Sequence, residues 1–468
     1  MLNMSRPGTS LNIAQQLRKT TQLGLEDAVR GLDKKQQPGN TYHGKVKIGN
    51  KYNIIGFISS GTYGRVYKAM EKNPKGDLLS PTSTTNSKEL YAIKKFKPEK
   101  EGDNVQYTGL SQSAIREMSL CTELSHPNVV HLAEIILEDK CVFMVFEYCE
   151  HDLLQIIHHH TQPTRRPIPA NMIKSILFQL LNGLFYLHQN WVIHRDLKPA
   201  NIMVTSSGHV RIGDLGLARL FHKPLSSLYT GDKVVVTIWY RSPDLLLGAR
   251  HYTPAIDLWA VGCIFAELLS LRPIFKGEET KMDSKKTVPF QRNQMGKIVE
   301  ILGMPRRENW KGLADMPEYS QLQSLMMSRG GMPGLYPGSS SSLSRGSNAN
   351  NGTGLETWYN NCLRLSNYPS DKSPGQRGLQ LLSELFEYDP EQRLTAEQAL
   401  QHDYFRCTDD GPNRGKIWVT NNCFQGLDEV YPHRRVSTET NDIGTGSLPG
   451  TKRNGLPDDS LLPPAKRR

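Results

Sequence analysis

Cysteine is scarce in this chain, and the spacing of its cysteines excludes a common class of metal site. Seven cysteines are scattered over 468 residues, and no two of them form a C-x-x-C pair. Because such pairs supply the ligands of most small zinc motifs, a zinc knuckle is not expected. An odd, scattered count in a large chain is typical of a reducing compartment rather than of a disulfide-bonded secreted domain.

Long apolar runs are also missing. The longest largely apolar stretch, residues 259–269, falls far short of the ~20 residues that a membrane-spanning helix needs. The first ten residues contain no apolar segment of the kind that marks a secretory signal. These absences predict a soluble, intracellular protein with no membrane partner.

Acidic residues are outnumbered by basic ones. Asp and Glu number 46 against 57 Lys and Arg, which gives a formal net charge of +11 and a pI near 9.2. Such a balance favours acidic partners in general. Basic tails and loops explain the excess more simply than nucleic-acid binding does, so no direct nucleic-acid partner is expected.

Apolar patterning divides the chain into a strand-rich part and a helical part. Helices dominate after residue 153, and one earlier helix is expected at residues 111–124, where apolar side chains share one face. Short β-branched or aromatic runs bounded by turn residues predict five strands, at residues 52–59, 66–70, 89–96, 129–136 and 141–146. The longest later helices are predicted at residues 172–188 and 253–269, with shorter ones at 294–302 and 379–388. This order predicts an α+β fold with a small sheet lobe and a larger helical lobe.

Polar or low-complexity composition marks the remaining segments. An amphipathic stretch that begins at Ser10 fits a floppy tail or a docking helix for a partner. Gly, Ser and Asn dominate residues 326–354, which predicts a disordered insertion, and a disordered tail is expected from about Thr438. The predicted domains are an N-terminal extension (1–50), a bilobal domain (51–147 and 148–406, the latter with the insertion) and a C-terminal tail (407–468).

The segment from His194 to Gly216 is the most informative part of the chain. It reads His-Arg-Asp-Leu-Lys-Pro-Ala-Asn, and twelve residues later follows Asp-Leu-Gly. Asp196 can accept the proton of an acceptor hydroxyl, and Lys198 can reach a phosphoryl group in transfer. Asn201 and Asp214 offer the hard oxygen ligands that Mg²⁺ prefers. The segment predicts a phosphoryl-transfer site with catalytic residues Asp196 and Lys198.

Phosphate-binding residues are expected upstream of that segment. A lone glycine pair between two strands is equally compatible with an ordinary hairpin, but here it precedes Tyr-Ala-Ile-Lys, which ends at Lys94. Glu117, on the predicted helix, would form an ion pair with Lys94 and make the helix position a switch. Backbone N–H groups of the glycine loop can approach phosphates closely. The loop residues assigned to phosphate binding are Ser59, Ser60, Gly61, Thr62, Tyr63 and Gly64.

These segments, in this order, resemble the signature set of eukaryotic protein kinases. The resemblance implies the bilobal kinase fold, with a five-stranded antiparallel sheet, and ATP with Mg²⁺ as cofactors. It implies that backbone groups of Glu147 and Cys149 bond the adenine edge and that Asp152 bonds the ribose. The side chains implied to enclose the adenine ring are Ile58, Val66, Ala92 and Met203.

Over roughly residues 50–406 the chain resembles the cyclin-dependent group of serine/threonine kinases. Lys198 is the mark of the serine/threonine class, and Ser-Ala-Ile-Arg-Glu at residues 113–117 resembles the cyclin-binding helix of the group. Residues 111–118, 148–153 and 245–252, together with the middle Leu of Asp-Leu-Gly, are closest to the Mediator-associated branch that pairs with cyclin C, in a fungal version.

That branch implies an enzyme of the transcription machinery. Its substrates would be the RNA polymerase II C-terminal repeat and transcription factors, and its partners a cyclin C-like cyclin and the kinase-module subunits of Mediator. Basic clusters at residues 452–453 and 466–468 favour a location in the nucleus. Two alternatives stay open: a cell-cycle-type cyclin-dependent kinase, and a weakly active kinase that acts mainly as a scaffold.

Several positions depart from the kinase pattern. Ser59 replaces the first glycine of the phosphate loop, which predicts slower nucleotide handling. Asp244 replaces the glutamate of the A-P-E motif and is expected to pair, buried, with Arg393. The run His158-His159-His160 is interpreted as a solvated helix end rather than a metal site.

The activation segment departs most. Asp232 stands where cell-cycle relatives carry a phosphorylated threonine, and Thr230 is the rival acceptor, two residues out of register. Three arginines should converge on this position: Arg116, Arg195 and Arg219. Because aspartate carries less charge and fewer acceptor oxygens than phosphothreonine, we expect activation to depend on partner contacts more than on phosphorylation.

Overall fold

The computed structural model describes most of the two predicted lobes. The described residues are 46–60, 64–72, 89–96, 100–101, 106–107, 112–139, 141–162, 166–221, 237–249, 251, 253–280, 289–328, 354–366, 368, 373–407, 415–417 and 427–437. The predictions for residues 1–45 and for the tail from Thr438 lie outside the described residues, as does most of the 326–354 insertion.

The N-terminal lobe is built on a five-stranded antiparallel sheet. Its strands are β1 (Tyr52–Ser60), β2 (Gly64–Glu71), β3 (Leu90–Phe96), β6 (Leu132–Glu138) and β7 (Cys141–Glu147). They lie in the order β1-β2-β3-β7-β6. A short helix α1 (Ile48–Lys51) precedes β1, a small ribbon β4 (Lys100–Glu101) and β5 (Gln106–Tyr107) follows β3, and helix α2 (Gln112–Glu123) precedes β6. The predicted sheet and its one main helix are confirmed.

The sheet separates two apolar clusters because side chains alternate between its faces. On β7, Phe143 and Val145 join a small cluster with Ile93, while Met144 and Phe146 join the main core. That core continues into the C-terminal lobe, so the last strand of the sheet connects the two lobes directly.

Helices form most of the C-terminal lobe. They are α3 (Leu153–His160), α4 (Ala170–Gln189), α5 (Pro243–Leu246), α6 (Ala255–Ser270), α7 (Arg292–Leu302), α8 (Tyr319–Ser328), α9 (Gly354–Ser366), α10 (Gly375–Leu385), α11 (Ala396–Leu400) and α12 (Leu427–Val430). Short strands β8 (His151–Asp152), β9 (Val192–Ile193), β10 (Ile202–Val204), β11 (Val210–Ile212) and β12 (Arg219–Leu220) surround the catalytic segment. No helix among the described residues is long and apolar enough to cross a membrane.

Helical spacing of apolar residues explains the two longest helices. Helix α4 buries Ile173, Leu177, Leu180 and Leu184 along one side, as a helix that packs on a core through one face should. Helix α6 is buried along almost its whole length and forms the centre of the lobe. Both lie within two residues of their predicted bounds, whereas α10 ends at Leu385, short of the predicted residue 388.

The C-terminal segment Leu427–Ser437 returns to the body of the protein. Tyr431 is buried with its ring centroid 5.0 Å from that of His159, and its hydroxyl lies 2.8 Å from Nε2 of His160. His159 and His160 are each only 9% exposed, so the prediction of a solvated histidine run is wrong for both. Helical periodicity could not reveal this cover, since it comes from the far end of the chain.

Candidate active site

Three charged side chains from separate elements meet beside β3. Lys94 Nζ donates to both carboxylate oxygens of Glu117, at 2.8 and 2.7 Å, and to Oδ1 of Asp214 at 2.9 Å. Glu117 projects from α2, and Asp214 begins the turn after β11. The predicted Lys94–Glu117 ion pair is therefore present, with α2 in the position that brings Glu117 onto the lysine.

Lys94 and Asp214 stabilise each other's charge, whereas burial outweighs Lys94 at Glu117 and raises the pKa of that carboxyl. Burial by itself would lower the pKa of Lys94, but the Glu117 and Asp214 carboxylates outweigh it and hold the pKa above its ordinary value. Burial would raise the pKa of Asp214, and the adjacent Lys94 reverses this, so its pKa lies below the ordinary value. Lysine and aspartate are both charged near neutral pH, as phosphate binding and metal binding require.

Asp196 lies at the centre of a second cluster. Its Oδ2 accepts hydrogen bonds from Lys198 Nζ at 2.6 Å and from Asn201 Nδ2 at 3.1 Å. The backbone N–H and hydroxyl of Thr237 lie 3.4 Å from Oδ1. The structure thus brings together the two side chains predicted to be catalytic, and it places a carboxylate where an acceptor hydroxyl could be oriented.

A buried aspartate of α6 holds this catalytic segment in place. Asp257 accepts the backbone N–H groups of His194 at 2.9 Å and Arg195 at 3.0 Å, and it bonds His188 Nε2 at 3.0 Å. Arg195 has a φ of 67°, a left-handed conformation that is uncommon for a side chain of its size. The Asp257 bonds offset that conformational cost. Sequence reasoning missed Asp257, since an acid within a largely apolar helix carries no motif of its own.

Asn201 and Asp214 are the residues that could hold Mg²⁺. The backbone carbonyl of Asn201 accepts the backbone N–H of Gly213 at 2.9 Å, which ties Asn201 to the residue before Asp214. Asn201 Nδ2 donates to the Asp196 carbonyl at 2.8 Å, so its amide oxygen is the atom that could bind a cation. One amide oxygen and one carboxylate suit a hard cation that keeps several waters, which is the preference of Mg²⁺.

The predicted adenine and phosphate residues lie around the cleft between the lobes. Ser59 and Ser60 are exposed at the end of β1, and Ile58, Val66 and Ala92 are half-buried on β1, β2 and β3. Gly64 begins β2, where an added Cβ would come within 2.4 Å of the Lys95 carbonyl oxygen. Gly61, Thr62 and Tyr63 lie outside the described residues.

Glu147 and Cys149 lie at the end of β7, where the chain leaves the sheet. The Glu147 carboxylate accepts from Arg211 Nε at 2.9 Å and from the His131 N–H at 2.8 Å, which fixes the chain at this point. Burial raises the pKa of the Cys149 thiol to about 12, so this cysteine is a packing residue rather than a nucleophile. The contacts of these two residues with adenine stay predictions.

The predicted ribose residue is engaged by the C-terminal segment. Asp152 caps α3 through Oδ1, which accepts the Gln155 N–H at 2.9 Å, and its Oδ2 lies 3.1 Å from the guanidinium of Arg434. The same guanidinium contacts the sulfur of Met203, one of the side chains predicted to enclose the adenine ring. Arg434 was missed by sequence reasoning because it lies in a tail without apolar periodicity.

The three arginines predicted to converge on Asp232 lie near one turn. Arg116 and Arg195 donate to successive carbonyls of that turn, Gly216 at 3.4 Å and Leu217 at 2.7 Å, and Arg219 follows the turn in β12. Residues 230 and 232 lie outside the described part of the chain, so the convergence of the arginines on the aspartate stays a prediction.

The pair that replaces the A-P-E glutamate is confirmed. Arg393 Nη2 lies 3.1 Å from Asp244 Oδ2, and the two side chains are 0% and 3% exposed. Arg393 also donates to the Ala255 carbonyl at 2.9 Å and the Glu387 carbonyl at 2.8 Å.

Comparison with known proteins agrees with this geometry. A model described as "Protein kinase domain" matches residues 52–405. "Serine/threonine-protein kinase ssn3" of Aspergillus niger is 64% identical over 443 residues, which is 94% of this chain and 95% of the relative. The protein of the same name from Aspergillus clavatus is 66% identical over 440 residues, 93% of this chain and 95% of the relative. "Serine/threonine-protein kinase SSN3" of Coccidioides immitis is 62% identical over 452 residues, covering 96% and 89%.

Proposed function

The chain belongs to the protein kinase family as a serine/threonine-protein kinase, and from that premise we propose that it is the cyclin-dependent kinase of a Mediator kinase module. It transfers the γ-phosphate of ATP to Ser and Thr hydroxyls of the RNA polymerase II C-terminal repeat and of transcription factors. It requires Mg²⁺ and a cyclin C-like cyclin, and it acts in the nucleus.

The site assigns a task to each charged residue. Lys94 holds nucleotide phosphates while Glu117 holds the lysine, and Asn201 with Asp214 would ligate Mg²⁺. Bound there, the ion supplies positive charge next to the phosphoryl group in transfer. Asp196 accepts the proton of the substrate hydroxyl, and Lys198, 2.6 Å from it, lies where it can neutralise charge on the moving group.

The observation that carries the cyclin proposal is on α2. Ile115 is 48% exposed, whereas Glu117, two residues later on the same helix, is 1% exposed and bonded to Lys94. Ile115 lies within residues 113–117, which resemble the cyclin-binding helix, and its exposure leaves it accessible to a partner. A protein bound to Ile115 would therefore hold the helix that brings Glu117 onto Lys94.

The cyclin proposal is tested with a charge on that face. Ile115→Asp should abolish binding of a cyclin C-like cyclin, and with it the stimulation of peptide phosphorylation, because burial of an unpaired carboxylate is unfavourable. Leu137→Asp is the matched control, since Leu137 is a 63% exposed apolar residue of the same lobe, on β6. Pull-down and phosphorylation rates with and without cyclin give the answer. Full stimulation of Ile115→Asp would overturn the proposal.

Activation is proposed to need no phosphate on the activation segment. Asp232 supplies a fixed negative charge at the position where cell-cycle relatives are phosphorylated, which is the sequence feature behind this view. Thr230→Ala should therefore keep its activity in the presence of cyclin. Loss of phosphorylation activity in that variant, with cyclin binding intact, would show that Thr230 is an essential acceptor.

Assembly and location are tested by purification from fungal nuclei. Residues 148–153 and 245–252, which resemble the Mediator-associated branch, support the assignment. A tagged chain should co-purify with a cyclin C-like cyclin and Mediator subunits. Co-purification with a cell-cycle cyclin and without Mediator would instead establish the alternative kinase.

A further inference from the structure

Three side chains of metal-ligand type meet where the C-terminal segment contacts β8. They are His151 of β8, Asp428 of α12 and His433 of the extended stretch after α12, and their ligand atoms all lie within 4.8 Å of one another. None of the three belongs to the phosphoryl-transfer site. Neither of the two histidines is part of the His158–His160 run considered from sequence.

Both imidazoles face the Asp428 carboxylate. Asp428 Oδ1 lies 2.9 Å from His151 Nε2 and 3.1 Å from His433 Nε2. Donor atoms around a tetrahedral Zn²⁺ are separated by roughly 3.3 Å, as bond lengths of about 2.0–2.1 Å require. The two contacts to Asp428 would have to lengthen by only a few tenths of an ångström, and the ligand atoms of the two histidines already lie within 4.8 Å of each other. Side-chain rotation of the half-exposed Asp428 and His433 can provide the adjustment.

His151 is oriented as a metal ligand is. Its Nδ1 lies 3.2 Å from the Pro432 carbonyl oxygen and its Nε2 lies 2.9 Å from Asp428 Oδ1, so both ring nitrogens face acceptors. A metal ion bound at Nε2 would take the place of a proton there, while Nδ1–H would donate to the Pro432 carbonyl oxygen. Metal-bound histidines usually donate their other ring N–H to a carbonyl or carboxylate in this way. The side chain is 0% exposed, so its orientation is fixed by packing.

We propose that His151, Asp428 and His433 bind one divalent transition-metal ion, with Zn²⁺ the best match. Two imidazoles and one carboxylate suit zinc, whereas Mg²⁺ and Ca²⁺ require oxygen ligands. Water would complete the coordination, since His433 is 50% exposed and Asp428 44% exposed. The ion would join β8, just after the strand that links the lobes, to the C-terminal segment.

A metal ion at this site would hold Arg434 in place, and we call this effect the latch. His433 precedes Arg434, and His151 precedes Asp152, the carboxylate that Arg434 contacts. Beyond Arg434 the segment pairs with β1, where the Phe57 N–H donates to the Ser437 carbonyl at 2.8 Å and the Ser437 N–H donates back at 2.8 Å. A bound ion therefore holds the segment across the cleft and Arg434 on Asp152, which disfavours nucleotide binding. This consequence rests on the proposed ATP site, whereas the metal site does not.

Metal binding is tested by calorimetric titration of Zn²⁺ into the full-length protein. The Asp214→Asn background lowers binding at the catalytic metal position. One Zn²⁺ per chain is expected, with affinity reduced about tenfold or more by Asp428→Asn and by His433→Ala. His158→Ala, which alters an exposed histidine of α3 outside the cluster, should leave the titration unchanged. Equal affinity in all variants would overturn the site and leave a hydrogen-bonded cluster only.

The latch is tested with a fluorescent adenosine analogue, which has no phosphates to chelate the ion. Zn²⁺ should weaken binding of the analogue to the Asp214→Asn protein, and His433→Ala should remove that effect. Zinc binding without any change in analogue affinity would refute the latch. If the analogue fails to bind with or without zinc, the proposed nucleotide site fails, while the zinc titration still decides the metal site.

Discussion

Two buried ion pairs of this kinase are built for different purposes. Lys94–Glu117 joins β3 of the sheet to α2 and shares its lysine with Asp214. Arg393–Asp244 lies within the helical lobe, and its arginine also donates to backbone carbonyls. The first pair combines one cation with two carboxylates from separate elements. The second combines one cation with one carboxylate and neutral acceptors in a fixed core.

Their exposure shows the same difference. The Lys94 side chain is 14% exposed and borders the cleft between the lobes, so phosphates can reach it. Arg393 is 0% exposed, and burial lowers its pKa against the opposing effect of Asp244. We infer that the Lys94 pair acts in catalysis and its control, whereas the Arg393 pair acts in stability. Measuring activity and unfolding on the same variants separates the two roles.

The largest expected effect is on activity, from the loss of Asp214. Asp214→Asn removes a metal ligand and one carboxylate of the Lys94 cluster, so phosphoryl transfer should fall by about a thousandfold, equivalent to ~4 kcal/mol. The unfolding midpoint should stay near that of the wild type, since Asp214 is on the cleft side and its side chain is 40% exposed. A steady-state kinase assay and urea unfolding measure the two quantities. Transfer at the wild-type rate would contradict the role of Asp214, and full function of an Asp214→Ala variant in cells would favour the scaffold alternative.

Loss of the Arg393–Asp244 pair should lower stability and leave activity largely unchanged. Asp244→Ala leaves the Arg393 charge buried without its carboxylate, which should lower the free energy of unfolding by about 3–5 kcal/mol. Activity per folded molecule should be kept at low temperature. Combining it with Arg393→Met should recover part of the stability, because the uncompensated charge is removed as well. A double variant that is less stable than Asp244→Ala would show that the buried charge is not the source of the loss.

Glu267 is a third buried acid, and its bonded partner is a hydroxyl rather than a cation. Glu267 Oε2 accepts from Tyr240 at 2.7 Å, and burial raises the pKa of Glu267 to about 7 in spite of that bond. The raised pKa means that its contribution to stability is complete below pH 4.5, the ordinary value, and declines as pH rises towards 7.

The decline attributable to Glu267 should total about 3 kcal/mol over that interval. Glu267→Gln keeps the size and polarity of the side chain but cannot ionise, so the difference in unfolding free energy between variant and wild type should change with pH by this amount. Urea unfolding at several pH values between the two limits measures it. A difference that does not vary with pH would contradict the raised pKa.

The smallest effect is expected from Glu117→Gln. The variant keeps one neutral acceptor for Lys94 but loses a charge-assisted bond of about 1.5–3 kcal/mol, which corresponds to a ~10–100-fold loss of activity. Excess cyclin should restore less activity than it does in the wild type, because the partner can place the helix but not replace the charge. Wild-type rates in Glu117→Gln would show that the pair is not needed for transfer.

The sequence was sufficient to predict the sheet and the site residues that belong to local motifs. The strand pattern predicted the five-stranded sheet, and the order of the motifs predicted the residues that the structure assembles around Lys94 and Asp196. Helix ends were less predictable: α10 stops at Leu385 although the apolar pattern extends to residue 388. Propensity sets where a helix can form, while packing decides where it ends.

Contacts between distant parts of the chain were beyond sequence reasoning. Asp257 supports the backbone of the catalytic segment from a position 63 residues after His194, and no spacing rule connects the two. Arg434 and the cover over His159 come from a polar tail that gave no periodic signal. Such long-range placements depend on the folded surface against which a segment packs, which a single sequence does not specify.

We infer that Asp196 is the proton acceptor for phosphoryl transfer in this cleft. Single-turnover transfer from ATP to a Ser-Pro peptide by the Asp196→Asn variant, with the proposed cyclin bound, tests this role. We expect a loss of about a thousandfold, within the range of general-base catalysis, with nucleotide affinity equal to that of the wild type. Transfer at the wild-type rate, with nucleotide equally well bound, would contradict the claim.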